Sequence, residues 1–222
     1  MDSKTFVKEL EAANQAELAE IGQTSVSAGE PAAANAEAAI KVPRLLQIAL
    51  ANEISVSELA AAWMPSTPEA DVKITLAQQV GDEADHFRLV EGRLNALGVS
   101  TAEFIPPALN PLFAYLRSLE TTVERIAAGP FTLESIAFQV NDQFMRFCET
   151  LGERETVLLY QSRIQPDEMH HHRLGASLLE KYAITPEAQQ RARQAAAKTL
   201  ELARQMRLLT AQKLGTACFP GC

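Results

Sequence analysis

Apolar residues recur every three or four positions along most of the chain, which predicts an all-helical protein. Residues 3–22 predict an amphipathic leading helix, and residues 23–30 predict a linker. The residues that place one side of this helix against the protein are Phe6, Leu10, Ala13, Leu18 and Ile21. We expect the helix to be an accessory that packs outside the core or against a second subunit.

Four longer helices form the predicted core, because prolines and glycines delimit four amphipathic stretches. The predicted helices are 43–64, 69–97, 131–151 and 153–183. The Ala-rich stretch 31–39 predicts a separate helical piece before the first of them. Pro65–Pro68 and Gly152 mark tight turns, so the four stretches predict two antiparallel hairpins.

The long connection 98–130 joins the two predicted hairpins, and within it residues 111–128 predict a crossover helix that ends at Gly129 and Pro130. A last accessory helix is predicted over residues 186–214, followed by a loose tail over 215–222. The fold prediction is therefore a single domain, an all-α four-helix bundle over about residues 43–183 with accessory helices at 3–22, 111–128 and 186–214.

Composition and charge narrow the function classes. The net charge of the 222-residue chain is −8, and no Lys/Arg block is present, which argues against nucleic acid as the main partner. No uncharged apolar run reaches the roughly 18 residues that a membrane span needs, and the first residues lack a signal-peptide core. Three cysteines make a poor disulfide framework. These features predict a cytoplasmic protein.

Carboxylates on the apolar stripes are the main candidates for chemistry. Glu53 has apolar helical neighbours on both sides, although a position at the stripe's edge, open to solvent, is an alternative at this stage. Glu83 and His86 lie three residues apart on the next stripe, where a lone His would more often be a core residue. Glu134 lies on the third stripe.

Glu168 and His171 repeat the Glu-x-x-His spacing on the fourth helix, and each pair is preceded by Asp, at Asp82 and Asp167. Residues three apart on a helix can grip one metal ion. Asp167 and His170 are also spaced by three, but the parallel with the second helix favours Glu168 and His171. His170 and His172 are then exposed or peripheral.

The spacing of these residues about the turns supports a single site. Glu53 and Glu83 are equidistant from residue 68, and Glu134 and Glu168 are equidistant from residue 151, so each pair lies level in an antiparallel hairpin. The same test disfavours Glu58 as the first carboxylate. Four carboxylates balance two divalent cations, and mixed carboxylate and imidazole ligands suit iron or manganese.

The motif set resembles the ferritin-like di-iron carboxylate superfamily over about residues 43–183. The matching residues are Glu53, Glu83, His86, Glu134, Glu168 and His171. The doubled Asp-Glu-x-x-His is similar to the oxygen-activating branch, which includes bacterial monooxygenases. The resemblance implies that Asp82 holds His171 and that Asp167 holds His86, unless both are merely solvated charges.

The resemblance further implies a cytoplasmic oxidoreductase that uses two iron ions (Fe/Fe, with Mn/Fe or Mn/Mn possible) to activate dioxygen and to oxidise or hydroxylate a small organic substrate. An external donor, a ferredoxin or a reductase, would supply electrons, and a homodimer is expected. Candidate pocket residues, each also compatible with plain core packing, are Phe87, Phe138, Met145, Tyr160 and Ile164.

Two other functions fit the same pattern. One is a ferritin- or rubrerythrin-like protein that handles iron or scavenges peroxide, and the other is a non-catalytic bundle that binds a partner. Val90 occupies the position one turn after His86, so the radical tyrosine of the ribonucleotide reductase small subunit is absent there. Cys218 and Cys222 could bind a metal or pair, although a disordered tail is the simpler interpretation.

Overall fold

A computed structural model describes residues 1–26 and 36–221, with side chains described for residues 1–19 and 42–221. No strand occurs in the described ranges, and the prediction of an all-α protein is confirmed. The helices, in chain order, are α1 (Ser3–Val26), α2 (Ala36–Trp63), α3 (Ala70–Ala96), α4 (Pro111–Arg117), α5 (Thr122–Ile126), α6 (Glu134–Thr150), α7 (Arg154–Leu159), α8 (Gln165–Tyr182) and α9 (Pro186–Leu214).

Two helical hairpins surround the centre of the molecule. Helix α2 packs along α3, α6 packs along α8, and α3 also contacts α8. Arg93 of α3 ties the hairpins together, because its guanidinium donates to the carboxylates of Glu153 and Glu155 at the start of α7. Helices α1 and α9 pack against each other outside the hairpins, where α1 also contacts α6 and α8.

The first two helices are longer than the sequence predicted. Residues 23–26 are helical and not part of a linker, and the rest of the predicted linker lies outside the described residues. Helix α2 begins at Ala36 and continues through Pro43, which was predicted to start it. A proline inside a helix removes one backbone hydrogen bond and can kink the helix without ending it.

The buried face of α1 also differs from the prediction at one position. Ala13 is exposed, whereas Asn14 beside it is buried and donates its side-chain amide to the Thr132 hydroxyl at 2.9 Å. Phe6, Leu10 and Leu18 are buried as expected, while the side chain of Ile21 lies outside the described ones. Hydrophobicity alone missed Asn14 because a satisfied amide is tolerated in a core.

The predicted crossover helix 111–128 is interrupted at residues 118–121 and does not end at Gly129 and Pro130. Helix α4 ends at Arg117, and Thr121 then starts α5 with a capping box, in which its hydroxyl accepts from the Glu124 amide while the Glu124 carboxylate accepts from the Thr121 amide. From there α5 continues into α6 through a π-helical segment, Ala127–Leu133. Gly129 and Pro130 lie inside this segment and do not end a helix.

Close packing accounts for the glycine in the π-helical segment. A Cβ at position 129 would lie 2.7 Å from Cζ3 of Trp63, so only glycine fits there. A second π-helical segment, Tyr160–Ile164, joins α7 to α8, so the predicted fourth helix is continuous but wider at this point. Wide π turns of this kind are rare and often occur beside functional sites.

The predicted loose tail is packed over its described part, Thr216–Gly221. Phe219 is 3% exposed, and Arg207 of α9 stacks over its ring and donates to the carbonyls of Ala217, Phe219 and Gly221. The Gly221 amide donates to Oδ1 of Asn141 at 2.9 Å. The buried Arg207 guanidinium thus gives three carbonyls of the tail a hydrogen-bond partner. The composition of the tail, which is rich in small residues, does not predict this contact. Cys222 lies outside the described residues.

One described stretch, Val42–Trp63 in α2, is long and apolar enough to span a membrane, with a mean hydropathy of 1.2. Half of it is buried inside the protein, and it carries Glu53 into the core. Both features are typical of a core helix in a folded bundle. The cytoplasmic location stays a prediction.

Candidate metal centre

Six acidic and histidine side chains from four helices lie together at the centre of the two hairpins. Each of them is 1–4% exposed: Glu53 of α2, Glu83 and His86 of α3, Glu134 of α6, and Glu168 and His171 of α8. They form two groups whose possible ligand atoms lie within 4.8 Å of one another, Glu83–Glu134–Glu168–His171 and Glu53–His86–Glu168. These groups could hold metal ions.

The two histidines are held by aspartates of the opposite hairpin. His171 Nε2 lies 3.0 Å from Asp82 Oδ2, and His86 Nε2 lies 3.2 Å from Asp167 Oδ2. A carboxylate accepts only, so each Nε2 carries a proton, and each Nδ1 faces the cluster as the nitrogen whose lone pair a metal would take. Both Nδ1 atoms are buried without a hydrogen-bond partner.

Glu83 and Glu168 are shared between two halves of the cluster. The Glu83 carboxylate lies 3.4 Å from His86 Nδ1 through one oxygen and 3.5 Å from His171 Nδ1 through the other. Glu168 belongs to both groups, whereas Glu53 and Glu134 each belong to one. We call Glu53 with His86 the Glu53 half-site, and Glu134 with His171 the Glu134 half-site.

The spacing of these atoms fits metal ligation better than hydrogen bonding. Divalent metals hold nitrogen and oxygen ligands at about 2.0–2.2 Å, so two ligands of one ion are separated by about 3–4.4 Å. His86 Nδ1 lies 3.6 Å from Glu53 Oε2, and His171 Nδ1 lies 4.0 Å from Glu134 Oε2. One oxygen each of Glu83 and Glu168 is also buried without a partner. A cation would satisfy all of these atoms.

Protons replace the missing positive charge when no metal is bound. Burial raises the pKa of Glu53 to about 8 and that of Glu134 well above its usual value. Burial alone would lower the pKa of His171, but the Glu83 carboxylate raises it to about 9. Of the cluster carboxylates only Glu83, which lies beside both imidazoles, has a pKa lowered against its burial, to about 2. The metal-free cluster therefore binds protons that a metal would displace.

Thermal stabilisation by a divalent metal is expected to grow between pH 6.5 and pH 8. Glu53 and His171 have raised folded-state pKa values, so their protonated forms stabilise the metal-free fold at low pH, and this contribution is lost as the pH rises. The lowered pKa of Glu83 has no effect in this window, because Glu83 is ionised throughout. Metal binding releases the competing protons and therefore strengthens over the same range.

The measurement is the unfolding temperature with and without Mn²⁺ at both pH values. A variant of an exposed carboxylate outside the cluster, Glu58→Gln, should behave like the unmodified chain. A metal-induced shift that shrinks from pH 6.5 to pH 8 would contradict this prediction.

Gln79 is a site residue that the sequence analysis missed. It is 2% exposed, and its side-chain amide donates to Oε1 of Glu134. Its position four residues before Glu83 was the available signal, since a polar side chain there lies on the same buried stripe. The matching position in the other hairpin, four residues before Glu168, is the apolar Ile164. The two half-sites are therefore unequal.

Gln79→Met should weaken metal binding at one half-site by about 10–100-fold, the usual loss when the partner of a ligand is removed. Methionine has a similar length but no donor, so Glu134 loses its orientation while the packing is kept. Titration with Mn²⁺ should then resolve one weakened step and one unchanged step. Gln78→Met, at the exposed neighbouring position, is the control. Equal weakening in both variants would exclude a specific role for Gln79.

The alternative candidates lie outside the cluster. Glu58 is exposed and pairs with Arg117 at 3.3 Å, and His170 is exposed. His172 is partly buried, and its Nδ1 lies 2.7 Å from the Phe131 carbonyl oxygen, a distance at which that nitrogen must be the donor. Its lone pair is therefore not available to a metal through Nδ1.

The five predicted pocket residues do not lie together. Phe87, Met145, Tyr160 and Ile164 belong to one apolar core cluster, in which Phe87 packs against Phe104 with ring centroids 5.5 Å apart. Phe138 instead lines a separate surface cavity of about 250 Å³ beside α1. A substrate pocket formed by these five residues is therefore not what the structure contains.

Comparisons of this chain with protein-family models, with curated proteins and with solved structures find no match. The candidate metal centre therefore depends on the chain's own geometry. That geometry comprises six buried side chains, two aspartates that hold the imidazoles across the hairpins, and one glutamine that holds Glu134.

Proposed function

We propose that this chain is a ferritin-like di-iron oxidoreductase that activates dioxygen and oxidises or hydroxylates a small organic substrate. The crossed Asp–His pairs carry the proposal, because Asp82 and Asp167 each orient the imidazole of the other hairpin toward the cluster. Such orientation is expected of imidazoles that bind metal. Iron, or a mixed manganese and iron pair, suits this carboxylate-rich set of ligands.

The protein's own residues have separable roles in this proposal. Glu53 and His86 would hold one ion, Glu134 and His171 would hold the other, and Glu83 and Glu168 would contact both. Two ferrous ions, when bound, supply the electrons and the open coordination positions that dioxygen activation requires. A ferredoxin or a reductase would restore those electrons.

The protein surroundings would protect that chemistry from water. Apolar side chains of both core clusters surround the carboxylates, and the ligands themselves are almost fully buried. In a site with little water, the fixed Asp–His hydrogen bonds hold the imidazoles in one tautomer, and the shared Glu83 is kept ionised. The chain thereby provides a preorganised, anionic set of ligands.

The test is the metal content and the optical spectrum of anaerobically reduced, iron-reconstituted protein before and after exposure to air. We expect two irons per chain and a new absorption band after oxygen is admitted. Fewer than one metal per chain after reconstitution would refute the proposed function.

The closed packing around the ligands favours one second candidate, a protein that oxidises iron or consumes peroxide without an organic substrate. All six proposed ligands are at most 4% exposed, which leaves little room for an organic molecule beside them. Addition of excess Fe²⁺ in air separates the two candidates. Oxidation of many irons per chain supports iron handling, whereas oxidation that stops at two per chain supports the oxidoreductase.

A further inference from the structure

Tyr160 has a hydroxyl that the metal cluster and the core leave unused. Its side chain is fully buried, and the hydroxyl has no hydrogen-bond partner. Leaving such a group unsatisfied destabilises a folded protein, because the hydroxyl gives up its bonds to water. The ring itself is well packed, with its centroid 5.2 Å from that of Phe144 in an edge-on arrangement. The unusual feature is therefore the hydroxyl and not the ring.

The π-helical segment Tyr160–Ile164 explains how this hydroxyl reaches the interior. In a regular α-helix, eight residues correspond to about 800° of rotation, so Tyr160 would lie about 80° away from the face of Glu168. The π turn accommodates one extra residue, so the rotation falls to that of about seven residues, roughly 700°. Because two full turns are 720°, Tyr160 and Glu168 then lie on nearly the same face. The segment thus turns Tyr160 toward the face of α8 that carries the ligands.

The groups that act on Tyr160 include the carboxylates of the cluster. Burial raises the pKa of the Tyr160 hydroxyl well above its usual value, and the neighbouring acidic groups Glu53, Cys148 and Glu168 raise it further. The hydroxyl is thus neutral and can donate a hydrogen bond. One oxygen of Glu168 is likewise buried and unpartnered.

The corresponding position of the first hairpin has no free donor. Eight residues before Glu83 the chain has Thr75, whose hydroxyl donates to the Asp71 carbonyl within its own helix. The nearby polar group on that side, Gln79, is already bonded to Glu134. Tyr160 shares an apolar cluster with Ala49 and Leu50, one turn before Glu53, and with Val90, one turn after His86, so the unused donor lies on the side of the Glu53 half-site.

We infer that Tyr160 is a further catalytic residue, whose hydroxyl donates a hydrogen bond to a small exogenous anion or oxygen ligand bound at the Glu53 half-site. This inference rests on the proposed function, because it needs a metal-loaded cluster. It assigns different tasks to the two halves, since the Glu134 half-site is held by Gln79 and the Glu53 half-site receives the ligand. No residue of the cluster has to change its protonation state for this role.

The test compares Tyr160→Phe with Tyr182→Phe, which removes a hydroxyl from the far end of α8. Azide is the probe, and its dissociation constant is measured spectroscopically on protein loaded with Fe³⁺ or Co²⁺. Tyr160→Phe should weaken azide binding roughly tenfold or more, as expected for loss of a hydrogen bond to a charged ligand. Metal stoichiometry should be unchanged in both variants, and azide binding should be unchanged in Tyr182→Phe.

Thermal unfolding of the metal-free protein gives an independent readout. Removal of an unpartnered hydroxyl should leave the unfolding temperature of Tyr160→Phe unchanged or raise it, whereas removal of a bonded structural hydroxyl would lower it. Unchanged azide affinity in Tyr160→Phe would overturn the inference about Tyr160 and would leave the proposed function standing. If the unmodified chain takes up no metal, the proposed function fails, and the role of Tyr160 fails with it.

Discussion

Glu168→Ala should abolish the binding of both metal ions, and not only one of them. Glu168 belongs to both groups of possible ligands, so its loss removes a carboxylate from each half of the cluster. We expect metal affinity to fall by more than the roughly 10–100-fold that follows the loss of a ligand's partner. The measurement is metal content after reconstitution and dialysis, together with the absorption band that forms in air.

Two further variants serve as comparisons for Glu168→Ala. Glu53→Ala should remove a ligand from the Glu53 half-site alone, so one metal should remain where Glu168→Ala leaves none. Glu58→Ala changes an exposed carboxylate of the same helix and should retain both metals. The shared position of Glu168 would be disproved if Glu168→Ala and Glu53→Ala lost the same amount of metal.

Gly175→Ala should be among the most destabilising small substitutions in the chain. A Cβ at this position would lie 2.7 Å from the backbone nitrogen of Phe131 and 2.8 Å from the carbonyl carbon of Pro130. Both atoms are backbone atoms of the first π-helical segment, which cannot move as the end of a side chain can. Overpacking of this kind costs about 1–3 kcal/mol of unfolding free energy, and at times more.

Gly92→Ala is the matched control, because a Cβ there would meet nothing within 4 Å. In an exposed helix interior, alanine in place of glycine should stabilise the protein by about 0.5–1 kcal/mol. Chemical denaturation of the metal-free variants measures both effects. The close approach of α8 to the π-helical segment would be refuted if both substitutions stabilised the protein.

The sequence alone was enough to predict that the cluster residues lie together. Glu53 and Glu83 are equidistant from one turn, Glu134 and Glu168 are equidistant from another, and the structure places all four side chains at the centre of the molecule. Antiparallel helices make this possible, because the register of a hairpin follows from the position of its turn. The metal identity and the reaction stay proposals.

Other features could not be derived from periodicity. The π-helical segment Ala127–Leu133 looks like a helix end in sequence because Gly129 and Pro130 ordinarily end helices. It continues because Trp63 and Gly175 pack against it, and both contacts are distant along the chain. Arg207 likewise holds three carbonyls of a segment whose composition predicted disorder. Contacts between distant residues decided these cases, and local pattern does not encode them.

The position of α1 has a consequence for how the chain folds. Gln189 of α9 donates to the Met1 carbonyl, and Arg193 pairs with Glu9 at 3.1 Å, across 188 and 184 residues of chain. Helix α1 therefore meets these α9 partners only after α9 has been made, on the order of ten seconds or more after α1 itself at about 5–20 residues per second. We expect α1 to dock late and to slow folding relative to bundles with local contacts. Until then the side of α1 that packs against α9 stays uncovered.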